Sequence, residues 1–278
     1  MTEAVGAALR RAAERIGVPW ARTDAELLMA HALGVSRQAM LLSHMQAPVP
    51  PGFAALLARR LDHEPVAYIL GDAEFYGRTF AVSPAVLIPR GDSESVIAAA
   101  LAAAPQARSV LDCGTGSGIL LLTALAELPA ARGTGIDRST AALEIAVTNA
   151  AALGLEDRAR LLCADWTEPG WSDALGRFDL ILANPPYVEA DAALDPSVRG
   201  REPDGALFAG PDGLADYRVL VPQIPALLAP GGVAVIEIGA SQAAAVAAIA
   251  AAAGLSAQVH RDLGGRDRAV EMRPISSS

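Results

Sequence analysis

Residues 109–118 read SVLDCGTGSG, and this segment decides the fold class. Its first half, SVLDC, is mostly apolar and typical of a buried strand, and Gly114, Gly116 and Gly118 follow directly. Glycines here let the backbone turn sharply and let a ligand lie close against it. On its own the loop is also compatible with an NAD-binding fold, or with a turn that has only a structural role.

Apolar runs and helical stretches alternate on both sides of this loop. The runs that predict strands are SVLDC (109–113), GTGID (133–137), ARLLC (159–163), FDLILA (178–183) and GVAVIEI (232–238). Near-continuous apolar strands with helices between them predict an α/β fold with a parallel sheet covered on both faces. The segments 256–260 and 268–272 predict an added antiparallel pair.

The first part of the chain has the pattern of a helical bundle, beginning with a helix over 2–16. Further helix starts are predicted from a Thr23–Glu26 capping box ahead of 27–33, from Ser36, and from Pro50 and Pro51 ahead of 53–61. Aromatic and β-branched residues around Gly71 and Gly77 then predict a short hairpin. We therefore predict a helical substrate-recognition domain over 1–62, a linker hairpin over 63–80 and a sheet domain over 81–278.

Composition excludes several classes of protein. The chain has 22 basic and 31 acidic residues, a formal net charge of −9, and no lysine, so we expect no direct contact with nucleic acid. The longest apolar stretches, 96–105 and 243–253, are shorter than the ~20 residues of a membrane span. The first residues lack the apolar core of a signal peptide, which predicts a cytoplasmic protein. The histidines and cysteines lack metal-ligand spacing, so no metal is predicted, and Cys113 and Cys163 are expected to be buried.

Acidic residues at the ends of the next two predicted strands suit an adenosine. Asp137 is placed to accept hydrogen bonds from a ribose diol, and Asp165 with Trp166 can hold the amino group and the face of an adenine. No basic group follows the glycine loop to hold a pyrophosphate. The helix that begins after the loop can instead receive a carboxylate such as that of methionine.

The motif Asn184-Pro185-Pro186-Tyr187 follows the strand FDLILA and indicates the chemistry. An amide or aromatic amine nitrogen is a poor nucleophile because its lone pair is delocalised, as the ~18–20 kcal/mol barrier to amide rotation shows. The Asn184 side-chain oxygen and the Pro185 carbonyl can accept its two hydrogens out of plane, while the prolines fix the carbonyl's direction. Tyr187 can cover the flat group. This pattern predicts methyl transfer from S-adenosyl-L-methionine to a planar NH2 nitrogen, with S-adenosyl-L-homocysteine as product.

These residues resemble the release-factor glutamine methyltransferases, the PrmC or HemK family. The similarity extends over nearly the whole chain. Besides the glycine loop and NPPY, it includes EPVAYILG (64–71), EFYG (74–77), VLIPR (86–90), REPDGALFAGPDGLADYR (201–218) and EIG (237–239). The resemblance implies a class I (Rossmann-like) methyltransferase sheet with an N-terminal helical bundle domain.

The implied activity is N5-methylation of the glutamine in the GGQ motif of peptide chain release factors, which the helical domain helps to recognise. Cofactor binding is predicted for Gly114, Thr115, Gly116, Ser117, Gly118, Asp137, Asp165, Trp166 and Asn184. Substrate binding is predicted for Asn184, Pro185, Pro186 and Tyr187, of which Asn184, Pro185 and Tyr187 are predicted to be catalytic.

One segment departs from the family pattern. After VLIPR the family usually has proline, an acid, threonine and glutamate, whereas this chain has Gly91-Asp92-Ser93-Glu94. The missing proline predicts a less rigid loop near the cofactor.

Three other functions are compatible with these motifs. A ribosomal-protein glutamine methyltransferase would use the same NPPY chemistry. An adenine-N6 methyltransferase would need a basic, aromatic-rich region, which the helical part does not provide. A cofactor-binding protein without catalysis would be compatible with the altered loop at Gly91, although the intact motif Asn184–Tyr187 speaks against it.

Overall fold

A computed structural model describes residues 3–275, so the predicted helix start at Thr2 and the tail Ser276–Ser278 lie outside the described residues. The chain forms two compact units. Among the described residues, one unit comprises those up to Asp72 together with Leu194–Arg201, and the other comprises Ala73–Ala193 and those from Glu202 onward. The domain limits 1–62, 63–80 and 81–278 stay a prediction. Within the described part, no helix is both long enough and apolar enough to cross a bilayer.

The first unit is helical. Its helices are α1 (Val5–Ile16), α2 (Ala21–Leu33), α3 (Arg37–Ser43), α4 (Phe53–Leu61) and α5 (Val66–Leu70). They enclose a core that includes Leu9, Leu28, Met40 and Phe53. The cap predicted at Ser36 is confirmed, because its hydroxyl accepts a hydrogen bond from the Ala39 N–H at 3.1 Å.

The capping box predicted at Thr23 and Glu26 is wrong. Helix α2 begins at Ala21, so Thr23 lies inside the helix, and no side chain caps its N-terminus. Glu26 is buried and its carboxylate pairs with Arg22 at 2.5 Å and Arg37 at 2.7 Å. The Glu26 carboxylate, which a capping box would place at the helix N-terminus, therefore forms ion pairs within the helical unit instead.

The predicted hairpin is present but shorter than the segment that indicated it. Residues 66–70 form α5, and Gly71 ends that helix with a φ of 86°. Strands β1 (Asp72–Phe75) and β2 (Arg78–Ala81) follow and form a two-stranded sheet.

The second unit has a seven-stranded sheet with the order β5-β4-β3-β6-β7-β9-β8. Its strands are β3 (Ser109–Cys113), β4 (Arg132–Asp137), β5 (Ala159–Cys163), β6 (Phe178–Ala183), β7 (Leu228–Glu237), β8 (Leu255–Arg261) and β9 (Asp267–Pro274). Strands β3 to β7 are parallel, and β9 and β8 add antiparallel pairs, as predicted.

Helices cover both faces of this sheet. They are α6 (Glu94–Ala103), α7 (Ile119–Glu127), α8 (Thr140–Ala152), α9 (Asp204–Leu207), α10 (Ala215–Leu220), α11 (Ile224–Leu227) and α12 (Ala243–Ala252), with 3-10 turns at Gly91–Ser93 and Val221–Gln223. Successive strand residues point to opposite faces. In β6, Leu180 and Leu182 therefore pack in one core, while Ile181 and Ala183 pack in the other.

The strand order brings the two predicted motifs together. Strands β3 and β6 are far apart in sequence but pair directly, with Cys113 opposite Ala183 at their carboxyl ends. Gly114 and Asn184 are the next residues of the two strands. Ligands of doubly wound sheets bind beyond these ends, where the winding reverses.

One prediction about a buried thiol is wrong. Cys113 is fully buried in β3, but Cys163 is exposed. The reason is the position of β5 at the edge of the sheet, where its side chains are only partly covered.

Strand β4 packs closely against α7, and this predicts the effect of a substitution. A Cβ atom at Gly133 would collide with the Leu121 Cδ1 atom, and both residues are buried. We expect Gly133→Ala to lower the free energy of unfolding by about 1–3 kcal/mol, because overpacking forces neighbouring side chains to shift. Urea unfolding would measure it, with Gly91→Ala as the control, since no heavy atom lies within 4 Å of a Cβ there. Equal midpoints for the two variants would contradict the packing argument.

Candidate active site

The glycine loop forms part of the wall of a cavity at the carboxyl ends of β3, β4 and β6. Gly114 and Gly116 have φ values of 75° and 55°, a region that non-glycine residues rarely adopt. A Cβ atom at Gly116 would meet no heavy atom within 4 Å, so the backbone there faces open space. Gly114, Thr115, Gly116 and Ser117 line the cavity. Gly118 does not, and a Cβ there would approach Leu122 Cδ1 to 2.9 Å, so its position is set by packing.

Asp137 follows the neighbouring strand and lies in the cavity wall. Its Oδ2 accepts a hydrogen bond from the Gly116 N–H at 2.9 Å, and its Oδ1 accepts one from the Ser139 N–H at 2.8 Å. A carboxylate oxygen can accept more than one hydrogen bond. Asp137 thus ties the glycine loop to β4 and retains acceptor capacity for ligand hydroxyls.

Trp166 and Asp165 also line the cavity, and Trp166 lies beside the glycine loop. The Trp166 ring reaches within 3.0 Å of the position a Cβ would take on Gly114. Its indole N–H donates to Asp216 Oδ1 at 3.3 Å, and the Gln223 side chain donates to its carbonyl at 3.0 Å. The indole is therefore fixed by hydrogen bonds as well as by packing. Asp165 Oδ1 accepts hydrogen bonds from the N–H and the hydroxyl of Thr167, so its other oxygen has the greater acceptor capacity for a ligand.

The four residues of the NPPY motif divide into two pairs. Asn184 and Pro186 line the same cavity as the glycine loop, whereas Pro185 and Tyr187 do not. No other described residue forms a hydrogen bond with the Asn184 side chain, so its amide oxygen is available to a ligand. Pro185 and Pro186 are both buried.

Tyr187 is fixed by residues at the end of β7. Its hydroxyl donates to Glu237 Oε1 at 3.3 Å, and its carbonyl accepts from Gln242 Nε2 at 3.0 Å. Gln242 also donates to the Gly213 carbonyl at 3.1 Å, and a Cβ on Gly213 would collide with the Tyr187 carbonyl. The segments around 213, 237 and 242 therefore determine where the motif's tyrosine lies.

The segment that departs from the family pattern is held by charge. Asp92 pairs with Arg266 and Arg268, each at 3.0 Å. Ile88 and Arg90 precede this segment. The Glu202 carboxylate accepts a hydrogen bond from the Ile88 N–H at 3.0 Å and pairs with Arg90 at 2.5 Å. Ile88 and Arg90 line the cavity, so Glu202 holds part of the cavity wall, and the Asp92 ion pairs hold the segment that follows it. The lower rigidity expected from the missing proline stays a prediction.

Two carboxyl groups of the site are fully buried and have raised pKa values. Burial raises the pKa of Asp112 to about 7, and it likewise raises the pKa of Glu237 to about 7. Asp112 Oδ2 accepts from the Thr115 hydroxyl at 2.7 Å. Its Oδ1 has no hydrogen-bond partner among the described residues, although Asp112 lines the cavity. A cationic ligand group beside that oxygen would be stabilised.

The raised pKa of Glu237 predicts how stability depends on pH. A carboxyl group with a higher pKa in the folded chain favours folding while it is protonated. This contribution is complete below its ordinary pKa of 4.5 and is lost as the pH rises through about 7. We therefore expect Glu237→Gln to gain stability over the unchanged protein between pH 5 and pH 9, by up to about 3 kcal/mol. Urea unfolding across that range would test it, and a constant difference between the proteins would contradict it.

Several residues of the site are not identified by sequence reasoning. Asp112, Glu202, Asp216, Glu237 and Gln242 reach it through partners far away in sequence, which spacing does not reveal. Asp112 stands within SVLDC, and Glu202, Asp216 and Glu237 stand within segments shared with the family. Those shared segments were the available signal for three of them.

Solved structures and family comparisons identify the class. The chain aligns with the ribosomal protein L11 methylase of Lactobacillus delbrueckii (TM-score 0.50, 21% identity, 70% of this chain and 84% of the other). It also aligns with a Thermus thermophilus 16S rRNA N2 G1207 methyltransferase in complex with AdoMet and guanosine (TM-score 0.53, 21% identity, 73% and 50%). Residues 92–199 match the family described as methyltransferase small domain, and residues 7–71 match the PrmC N-terminal domain. The fold and the site define a class I, S-adenosylmethionine-dependent methyltransferase, which confirms the predicted fold class.

Curated relatives of similar length identify the family. A release factor glutamine methyltransferase of Cereibacter sphaeroides is 47% identical over 96% of this chain and 97% of its own length. Relatives with the same name in Rhodospirillum rubrum and Caulobacter vibrioides are each 42% identical, over 97% and 91% of this chain and 85% and 90% of their own lengths. The chain belongs to the release factor glutamine methyltransferase family, as its sequence motifs predicted.

Proposed function

We propose that this protein transfers the methyl group of S-adenosylmethionine to the side-chain amide nitrogen of the glutamine in the GGQ motif of release factors. One observation carries the proposal. Asn184 lines the same cavity as the glycine loop, and its side-chain amide forms no hydrogen bond with any other described residue. An amide oxygen without a partner beside a cofactor-shaped cavity suits the recognition of an NH2 group.

The cavity fits S-adenosylmethionine in its donor and acceptor groups. The free acceptor capacity of Asp137 suits the ribose diol, and the indole of Trp166 suits the face of the adenine. The unpaired Oδ1 of buried Asp112 suits a cationic group such as the ammonium of the methionine part. The open backbone at Gly116 leaves room for the ligand to lie against the loop. We assign cofactor binding to these residues together with Thr115, Ser117 and Asp165.

The motif residues act by position and electrostatics. When bound, S-adenosylmethionine supplies an electrophilic methyl group on a sulfonium sulfur. The Asn184 oxygen and the Pro185 carbonyl would accept the two N–H hydrogens of the glutamine amide out of its plane, which reduces delocalisation of the nitrogen lone pair into the carbonyl group. The nitrogen would then bond to the methyl carbon as the bond from that carbon to sulfur breaks, and one N–H proton would be lost afterwards. Pro186 and Pro185 restrict the backbone that aims the carbonyl. Tyr187 is assigned to the face of the substrate amide.

A release factor is the substrate that the relatives favour. The curated relatives carry that activity in their names, and they match this chain over nearly its whole length. Residues 7–71 match the family's N-terminal domain, which supports a role for the helical unit in binding the protein substrate. A ribosomal protein with an exposed glutamine is the alternative substrate class.

The test is transfer of a labelled methyl group. We expect the enzyme with labelled S-adenosylmethionine to modify a release factor on its GGQ glutamine, located by mass spectrometry. A release factor with that glutamine changed to alanine is the matched control and should stay unlabelled. Equal labelling of the two proteins would refute the assignment of the target residue. Labelling of purified ribosomal protein, with none of the release factor, would favour the alternative substrate.

A further inference from the structure

The Tyr187 side chain is held at its hydroxyl by a buried acid. Glu237 ends β7, and its Oε1 accepts the hydrogen of the Tyr187 hydroxyl at 3.3 Å. One edge of the ring, Cδ2, lies 3.5 Å from the position a Cβ would take on Gly239. The ring therefore lies near the backbone that follows β7, and the carboxylate of Glu237 holds its hydroxyl.

The burial of the Glu237 carboxyl group destabilises the folded protein. It is fully buried, and its Oε2 has no hydrogen-bond partner among the described residues. The hydroxyl of Ser93, also buried, likewise has no partner within hydrogen-bond geometry, although it lies near enough to lower the pKa of Glu237. Burying a carboxyl group with an unpaired oxygen destabilises a folded protein. Features that oppose stability in this way are concentrated at functional sites.

We propose that Glu237 is a positioning residue for methyl transfer, which fixes the Tyr187 ring beside the substrate amide through the hydroxyl of that tyrosine. The inference rests on the proposed function, since it assigns Tyr187 to the face of the amide. Glu237 itself does not line the cavity, so it acts only through Tyr187. Its loss should therefore slow the transfer step and leave cofactor affinity unchanged.

The surroundings of Glu237 predict a dependence of the reaction on pH. The groups that face it are Ser93 and Asp92 of the 3-10 turn, Arg268 of β9, and the two tyrosines Tyr187 and Tyr217. The ionised carboxylate accepts a stronger hydrogen bond from a hydroxyl than the neutral acid does. Since burial raises the pKa of Glu237 to about 7, we expect kcat to rise between pH 6 and pH 8. Burial also raises the pKa of Asp112 to about 7, so Glu237→Gln is needed to isolate the part due to Glu237.

The experiment is a double-mutant cycle in the full-length enzyme with a release factor as substrate. Glu237→Met keeps the length of the side chain and removes the acceptor, while Tyr187→Phe keeps the ring and removes the donor. Each should lower kcat about 10- to 100-fold, the range for one hydrogen bond to a charged group. The double variant should be no slower than either single variant. Glu237→Gln keeps an acceptor oxygen, so its kcat should stay within about threefold of the unchanged enzyme but lack the rise between pH 6 and pH 8.

Glu271→Gln is the matched control. This carboxylate lies on β9 opposite Val235 and pairs with His260 and Arg273, outside the proposed site. It should leave kcat unchanged. Additive losses in the double variant, or a Glu237→Met enzyme within about threefold of normal kcat, would overturn the inference. If the unchanged enzyme does not label a release factor, the proposed function fails separately. The same cycle measured by urea unfolding then decides the inference, because no coupling between the two residues would overturn it.

Discussion

Replacing Asn184 with alanine should lower kcat by about 10²- to 10³-fold, the usual loss when one preorganised transition-state hydrogen-bonding group is removed. The Asn184 side chain forms no hydrogen bond with other described residues, so the substitution leaves no described partner unpaired. Its effect should therefore appear in turnover and not in folding. Affinity for S-adenosylmethionine should be largely retained, because the main cofactor contacts are assigned to the ends of β3, β4 and β5. Single-turnover kinetics and calorimetric titration of the cofactor would measure the two quantities.

The isosteric variant Asn184→Asp is the control for this substitution. It keeps an acceptor oxygen in the same position, replaces the amide NH2 group by a second oxygen, and adds a negative charge. If accepting a substrate hydrogen is what Asn184 does, Asp should retain clearly more activity than Ala. A loss of cofactor affinity as large as the loss of turnover would mean that Asn184 belongs to the cofactor site alone.

Replacing Asp137 with alanine should raise the Kd for S-adenosylmethionine at least about 100-fold. Hydrogen bonds to a charged group contribute about 1.5–3 kcal/mol each, and Asp137 is assigned two of them to the ribose hydroxyls. The substitution also removes the acceptor that ties Gly116 to β4 at 2.9 Å, so the glycine loop loses an internal support. Calorimetric titration with S-adenosylmethionine would measure the change directly.

Asp179 offers a matched control for Asp137. It also accepts hydrogen bonds from two backbone N–H groups, those of Arg108 and Ser109 at 2.8 and 2.9 Å, but at the amino ends of β3 and β6. Asp179→Ala should therefore lower stability without changing cofactor affinity. A similar rise in Kd for both variants would show that general loosening of the sheet, and not loss of a ribose contact, explains the result. A Kd for Asp137→Ala within about threefold of normal would contradict the assignment of Asp137.

The architecture was predictable because its signals are local. Apolar runs such as FDLILA define strands by themselves, and the rule that ligands bind at a winding reversal joins Gly114 to Asn184 before any coordinates are known. The capping box predicted at Thr23 is wrong because α2 already begins at Ala21, and Glu26 forms ion pairs with residues of α2 and α3. Cys163 was mispredicted because sequence does not reveal which strand is at the edge of a sheet.

Details of the site were less predictable because they depend on distant partners. The NPPY motif identifies Asn184 as a hydrogen-bond acceptor, yet it does not reveal that Tyr187 is bonded to Glu237, 50 residues later. Similarly, the missing proline at Gly91 predicts a less rigid loop, but it does not reveal that Asp92 pairs with Arg266 and Arg268 of the β8–β9 region. No spacing rule connects residues so far apart.

The eight residues Leu194–Arg201 have a practical consequence for protein engineering. They follow the NPPY motif in sequence but form part of the compact helical unit, where Arg201 pairs with Asp62 at 2.8 Å. A chimera that exchanged only the N-terminal segment would separate Leu194–Arg201 from the helices of its own unit. Designers who wish to graft the helical unit of one relative onto the sheet of another must therefore transfer two pieces of chain, with one of the junctions shortly after the motif that is assigned to the substrate.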